Sequence, residues 1–246
     1  MMPAKIDEFD YINFLVAAQR VFTCTEASRS WPEGGSRPAH DAFTRLLQRM
    51  PPDTEALWSE AKHFIKMDGG VIVMDDTTLD KPYAAKMGLV TYHWSGKHHD
   101  VVKGINLITT LWTDGKRLIP CDFRVYDKPM GENGPFGGKD KNEHFRDMLT
   151  VVKQRGFNPR YVVFDSWYTA LDNLKIIGRD LGWHWFARMK SNRLVNPNDS
   201  ENVPICSIEV SAEGRVVHLK GYGFVKVFKS VSKNGDVEYY ATDHLE

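Results

Sequence analysis

Two apolar segments of this sequence each end abruptly in aspartate. The run at residues 71–74 leads into Asp75 and Asp76, and the run at residues 161–164 leads into Asp165. Continuous Val, Ile and Phe are typical of strands buried on both faces of a parallel sheet. Because α/β sheets bind ligands at the carboxyl ends of their strands, the pattern predicts that Asp76 and Asp165 lie together at one edge.

A pair of neighbouring carboxylates is stabilised by a cation. Two such groups about 4 Å apart repel each other by roughly 4 kcal/mol at an effective dielectric constant near 20. Their hard oxygen atoms favour Mg²⁺ or Mn²⁺ over Zn²⁺. Two such ions can activate a water or a 3′-hydroxyl for attack on a phosphodiester, usually with a third carboxylate. The alternative is that Asp75 and Asp76 are solvated turn residues and that Asp165 caps the next helix.

Three further groups of residues have open interpretations. Arg188 and Lys190 lie two residues apart, so they share one face of a strand end and either hold phosphates or are simply solvated. Trp167 and Tyr168 either stack on an extruded base or pack beneath the start of a helix. Three histidines are either metal ligands or members of a solvated loop: His93, His98 and His99.

The hydrophobic pattern predicts an α/β (α+β) protein in three parts. Residues 1–67 carry apolar residues at helical spacing and form an N-terminal helical region. Residues 68–192 alternate strands with helices and form the core. Residues 193–246 form a β-rich unit of short antiparallel strands.

The order of elements in the core predicts a ribonuclease H-like mixed sheet flanked by helices. The predicted elements are strand 71–76, a hairpin of 104–112 and 118–125, helix 142–155, strand 161–165, helix 169–181 and strand 183–189. A right-handed crossover places strand 161–165 beside strand 71–76 and parallel to it.

Composition and charge indicate a globular protein without a membrane segment. The 246 residues are 42% hydrophobic and 26% charged. The net charge is −5 over residues 1–80 and +5 over the remainder, which is compatible with nucleic acid binding without requiring it. The three cysteines are isolated, and neither a signal peptide nor a long apolar span is evident, so a cytoplasmic location is predicted.

Four short segments of the sequence are informative by their residue identities as well as by their hydrophobic pattern. They are Met74–Thr78, Thr91–Lys97 followed by Val102–Gly104, Phe164–Tyr168, and Arg188–Asn192. Together, over about residues 40–242, the chain resembles the cut-and-paste bacterial insertion-sequence transposases of the DDE class. The resemblance implies that Asp76 and Asp165 are the first two catalytic acids and ligands of Mg²⁺ or Mn²⁺, with Asp75 only a neighbour.

The resemblance also implies that the partner is double-stranded DNA. Arg188 and Lys190 match a basic pair that grips transposon ends, and Lys97 and Lys103 are expected to contact DNA as well. The N-terminal helices would help to recognise the terminal inverted repeats. Two copies would act as a homodimer in a synaptic complex, associated with the nucleoid.

The end of the sequence departs from that family. Its members carry a catalytic glutamate after the β insertion, in a signature of Tyr, Arg three residues on and Glu four further, and no tyrosine here has that arginine. The expectation is a C-terminally truncated transposase that is inactive alone, with Glu209, Glu213 and Glu238 poor substitutes. Two alternatives stay open: a non-catalytic DNA-binding remnant that competes for transposon ends, and an unrelated metal-dependent nuclease or phosphatase.

Overall fold

The structure is a computed structural model that describes residues 5–19, 21–33, 36–50, 53–127 and 138–246. The chain divides into two compact units, the first ending at Asp53 and the second comprising Thr54–Glu246. No helix among the described residues is long and apolar enough to cross a bilayer.

The first unit is helical. Its described helices are α1 Glu8–Ala17, α2 Cys24–Arg29 and α3 His40–Arg49. Asp7 and Asp10 form a capping box at the start of α1, in which each side chain accepts the other residue's backbone N–H at 3.0 Å. Phe43 is fully buried at the centre of a small core, whereas Val16 on the apolar stripe of α1 is 82% exposed.

The second unit is built on a mixed sheet. Its described strands are β1 Val71–Asp80, β2 Thr91–Ser95, β3 Asp100–Thr113, β4 Leu118–Tyr126, β5 Tyr161–Phe164, β6 His184–Met189, β7 Leu194–Asn196, β8 Val203–Pro204, β9 Arg215–Leu219, β10 Gly223–Val231 and β11 Val237–Thr242. Its helices are α4 Thr54–Ala61, α5 Lys141–Gln154 and α6 Leu171–Lys175, with a π-helical continuation at Ile176–Asp180. Short 3₁₀ turns lie at Lys62–Phe64, Ser166–Tyr168 and Ile205–Ser207.

The order of the strands is that of a ribonuclease H-like fold, as predicted. The described strands form one sheet in the order β2-β3-β1-β5-β6-β11-β10-β9-β7-β8, with β4 also paired to β3. β1 is antiparallel to β3 and parallel to β5, and β5 is parallel to β6. The predicted placement of strand 161–165 beside the first strand is therefore confirmed.

Helix α5 joins the antiparallel strands to β5 and belongs to the main core of the unit. Asp140 and Glu143 form a capping box at its start, with both hydrogen bonds at 2.7 Å. Gly156, with a φ of 84°, follows its last turn. The apolar side of the helix joins Met74 and Phe164 in one buried cluster. Its buried residues are Phe145, Met148, Leu149 and Val152, which recur at helical spacing on one face.

The helical region predicted at residues 1–67 crosses the boundary between the two units. Helix α4 lies in the second unit. Its Trp58 ring lies 5.4 Å from that of Phe157, and the guanidinium of Arg155 lies 4.8 Å from the Trp58 ring. Arg155 also pairs with Glu55 at 2.6 Å. These contacts attach α4 to the residues after α5.

Three other elements differ from the predicted ones. The sequence pattern does not predict β2, because its buried positions carry His93 and Ser95 instead of apolar residues. The helix predicted at 169–181 begins at Leu171 and changes to π-helical spacing at Ile176. The C-terminal strands continue the central sheet, because β11 pairs antiparallel with β6.

Candidate active site

The two strands that end in aspartate lie side by side and in register. Their last paired residues are Met74 and Phe164, so Asp75 and Asp165 follow at the same level. Asp165 keeps an extended backbone, with φ −76° and ψ 167°. Because successive side chains of a strand alternate in direction, Asp75 points away from Met74, and Asp165 points away from Phe164. Both carboxylates therefore lie on the face of the sheet opposite to α5.

Asp75 lies among negative charges. It is exposed, but the surrounding protein removes part of its hydration. This desolvation, together with the charges of Asp76 and Asp165, raises the pKa of the Asp75 carboxyl above its usual value. A divalent cation would relieve that repulsion, so the chemistry of the Asp75–Asp165 pair fits a hard metal ion.

Asp76 points to the other face of the sheet and accepts hydrogen bonds from three side chains. Lys141 Nζ and Asn106 Nδ2 both donate to its Oδ2 at 2.7 Å, and Tyr168 Oη donates to its Oδ1 at 2.9 Å. Burial by itself would raise the pKa of Asp76, but these hydrogen bonds outweigh burial and lower the pKa. The charge of Asp76 is thus balanced by an ammonium group of the same chain.

Neighbouring elements position the donors to Asp76. The buried Tyr168 ring stacks on Phe145, with 4.8 Å between centroids and 16° between planes. Burial raises the pKa of the Tyr168 hydroxyl, so this group stays a neutral donor. Lys141 is the first residue of α5, directly after the N-cap Asp140, and its ammonium lies 5.4 Å from the Tyr126 ring.

The predicted basic pair flanks the carboxylates on the next strand. By strand register Arg188 is level with Asp165. Its guanidinium pairs with Glu238 of β11 at 3.0 Å. The ammonium of Lys190 lies 5.0 Å from the centroid of the Trp167 ring. These two cations therefore lie close to Asp165, where they could contact a phosphate.

The two other predicted DNA contacts lie in different surroundings. Lys97, in the turn after β2, is exposed and lines the same cavity as the aspartates. The ammonium of Lys103 donates to the backbone carbonyl of Ala84 instead. Lys103 is not among the residues that line the cavity.

Most of these acidic and basic residues line one open cavity of about 1160 Å³. Its lining includes Asp75, Asp76, Asp165, Arg188, Lys190 and Lys97. Among the described residues, no group of three or more His, Cys, Asp or Glu side chains is arranged to hold a metal ion. Mg²⁺ commonly uses one or two carboxylates together with waters and substrate phosphates, so a carboxylate pair is compatible with it.

A family model described as DDE superfamily endonuclease matches residues 12–205. The chain belongs to the DDE superfamily endonuclease family. Members of this family generally depend on a divalent metal, which agrees with the carboxylate pair at the strand ends. A comparison with curated proteins finds no match.

Two solved structures are similar to this chain at low sequence identity. Endonuclease V from Bacillus subtilis has a TM-score of 0.32 and 10% sequence identity, covering 83% of this chain and 76% of that chain. The Drosophila P element transposase strand transfer complex has a TM-score of 0.26 and 11% identity, covering 81% of this chain and 51% of that chain.

The sequence pattern locates the two strand ends, but it predicts neither the contact of Lys141 with Asp76 nor the alignment of Asp75 with Asp165. Lys141 carried a local signal, since it follows an Asp at the start of a predicted helix, but nothing in the sequence links it to Asp76. The family resemblance favours Asp76 as the catalytic aspartate and makes Asp75 only its neighbour. The register with β5, which ends at Met74 and Phe164, places Asp75 and Asp165 at the same level. The role of Asp76 as a metal ligand stays a prediction.

Proposed function

We propose that this chain is a DDE transposase that cuts and joins DNA strands at terminal inverted repeats, as a homodimer and with Mg²⁺ or Mn²⁺. Its family is one of endonucleases. The observation that supports the proposal most is the row formed by Asp75, Asp165 and Arg188 on adjacent strands, on one face of the sheet. That row combines acidic groups for a metal ion with a cation for a phosphate.

Asp165 and Asp75 are the residues that would hold the ion. The raised pKa of Asp75 supports this assignment, because loss of hydration and the nearby charges of Asp76 and Asp165 both disfavour its charged form, which a cation would favour. Asp76, the ligand that the family resemblance favours, would have to give up the ammonium of Lys141 at 2.7 Å before it could take part. When bound, a divalent ion lowers the pKa of an attacking hydroxyl and stabilises the leaving oxygen of a phosphodiester.

The basic residues of the cavity would position the DNA strand. Arg188 offers a planar set of donors suited to phosphate oxygens, and Lys190 and Lys97 offer point charges. Such contacts fix the register of the DNA without reading its sequence. The strand would then lie with one phosphodiester over the Asp75–Asp165 pair.

A cleavage assay tests the proposal. Labelled duplex fragments covering the DNA on both sides of the gene are incubated with the purified protein and Mg²⁺ or Mn²⁺. We expect cuts at defined ends, reduced about 10³-fold or more in Asp165→Asn, which corresponds to roughly 4 kcal/mol of transition-state stabilisation. Asp172→Asn, a change at an exposed aspartate of α6, is the matched control and should cut normally. Equal cleavage by Asp165→Asn and the wild type would refute the assignment.

A non-catalytic role at transposon ends is the second candidate. It is favoured by the lack, among the described residues, of a group of three acids arranged around one ion. In this case the chain binds end fragments in EDTA and protects them from other nucleases, but leaves them uncut in Mg²⁺ and in Mn²⁺. Binding without cleavage would support this role over catalysis, and absence of binding would refute both.

A further inference from the structure

Three large aromatic side chains on the wall of the cavity are exposed. Trp167 is 58% exposed, Tyr92 is 62% exposed and Trp94 is 52% exposed. Their immediate neighbours are not: Tyr168 is 0% exposed and His93 is 5% exposed. Because the segments themselves are well packed, the three exposed rings are displayed on an ordered surface.

The alternation of β2 explains why two of the rings are exposed. His93 and Ser95 point to the buried side of the strand, so Tyr92 and Trp94 both point to its open side. Trp94 pairs in register with Val101 of β3, which is itself 53% exposed. The open side of β2 is therefore an aromatic and apolar surface beside the cavity.

Trp167 lines the same cavity from the other end of the row formed by Asp75, Asp165 and Arg188. It lies two residues after Asp165, in the 3₁₀ turn Ser166–Tyr168. The ammonium of Lys190 lies 5.0 Å from the centroid of its ring. A ring that is more than half exposed and has a cation over one face can accept a flat partner on its other face, while the cation pairs with a neighbouring negative charge.

The chemistry of the cavity selects one kind of occupant. Arg188, Lys190 and Lys97 suit phosphates, and the exposed rings suit the flat faces of nucleobases. The bases of an intact duplex are already stacked, so their faces are not available to protein side chains. The surface therefore suits nucleotides that are unpaired.

We propose that Trp167, together with Tyr92 and Trp94, binds unpaired DNA bases next to the phosphodiester that lies over the Asp75–Asp165 pair. The inference rests on the proposed function for the choice of DNA. It adds a preference for DNA that is single-stranded or frayed at the site of reaction. Trp167 contributes a stacking surface, and Lys190 contacts the phosphate of the stacked nucleotide.

The test compares two DNA probes in EDTA, so that binding is measured without cleavage. One is a blunt fluorescein-labelled duplex, and the other is the same duplex with a four-nucleotide single-stranded tail. The wild-type protein should bind the tailed probe more tightly, by about 5- to 150-fold for one well-stacked base. Trp167→Leu should lose that preference, and Trp167→Phe should retain most of it.

The control is Phe224→Leu, which removes an aromatic ring that is 61% exposed but does not line the cavity. It should keep the full preference for the tailed probe. Because Trp167 is exposed, Trp167→Leu should unfold at the same temperature as the wild type. Substitution of 2-aminopurine in the tail gives a direct readout, since its fluorescence is quenched when it stacks on an indole.

Equal affinity of the wild type for the two probes would overturn the inference and leave the proposed function intact. A preference for the tailed probe that survives in Trp167→Leu would also overturn it, because the stacking would then lie elsewhere. Absence of binding to either probe would refute DNA as the partner, and with it the proposed function.

Discussion

The ammonium of Lys141 lies 2.7 Å from the carboxylate of Asp76, with 27% and 13% of the two side chains exposed. This ion pair joins the first turn of α5 to β1. Tyr168 and Asn106 donate to the same carboxylate from two other elements. Asp76 of β1 therefore links three other elements: β3, the start of α5 and the 3₁₀ turn after β5.

Lys141→Met should destabilise the protein by about 2 kcal/mol, because it leaves a largely buried carboxylate without its cation. Urea unfolding measures the change. Lys139→Met is the matched control, since its ammonium pairs with Asp147 on the surface, where both side chains are about half exposed. It should cost less than about 0.5 kcal/mol. Equal costs for the two variants would show that the Lys141 pair has no special role.

Asp75→Asn should raise the stability of the metal-free protein at pH 7. Loss of hydration and the charges of Asp76 and Asp165 disfavour the charged form of its carboxyl, as its raised pKa indicates, so removal of the charge relieves both effects. The wild type should gain about 2.7 kcal/mol at a Mg²⁺ concentration near 100 times its dissociation constant, and Asp75→Asn should gain far less. Thermal unfolding with and without Mg²⁺ measures both effects. The reverse result, with Asp76→Asn losing the gain and Asp75→Asn keeping it, would favour Asp76 as the ligand.

Tyr222 makes a contribution to the free energy of unfolding that is lost at high pH. Its hydroxyl accepts from Trp185 Nε1 at 2.8 Å and donates to Asp243 at 3.1 Å. Burial and the charge of Asp243 raise its pKa to about 12, against about 10 in an unfolded chain. Because the folded pKa is the higher one, this contribution is complete below pH 10 and is lost as the pH rises to 12.

Tyr222→Phe should therefore cost about 1–2 kcal/mol at pH 7, where the Trp185 N–H loses its acceptor. It should also make the free energy of unfolding fall less steeply between pH 10 and 12. Urea unfolding at several pH values measures both effects. The same slope in the variant and the wild type would contradict the assignment of this pH dependence to Tyr222.

The strand order around the site can be predicted from the sequence. The directions in which the side chains of the site point cannot. The apolar runs before Asp76 and Asp165, and the helix between them, were enough to predict two parallel neighbours. Which of two consecutive aspartates faces Asp165 depends on the register of the strands, and a shift of one residue reverses the answer. The ion pair of Arg188 with Glu238 depends on the pairing of β6 with β11, about 50 residues apart, for which no local pattern exists.

The ion pair between Arg188 and Glu238 leads to two opposite predictions for DNA binding. Arg188→Ala removes one of the proposed phosphate contacts, so it should weaken binding to all sequences alike and reduce the slope of log K against log salt by about 1. Glu238→Gln frees Arg188 and removes a negative charge from the cavity, so it should strengthen binding in EDTA. Fluorescence anisotropy at several salt concentrations measures both effects. Weaker binding of DNA by Glu238→Gln would mean that Glu238 positions Arg188 for the phosphate instead of competing for it.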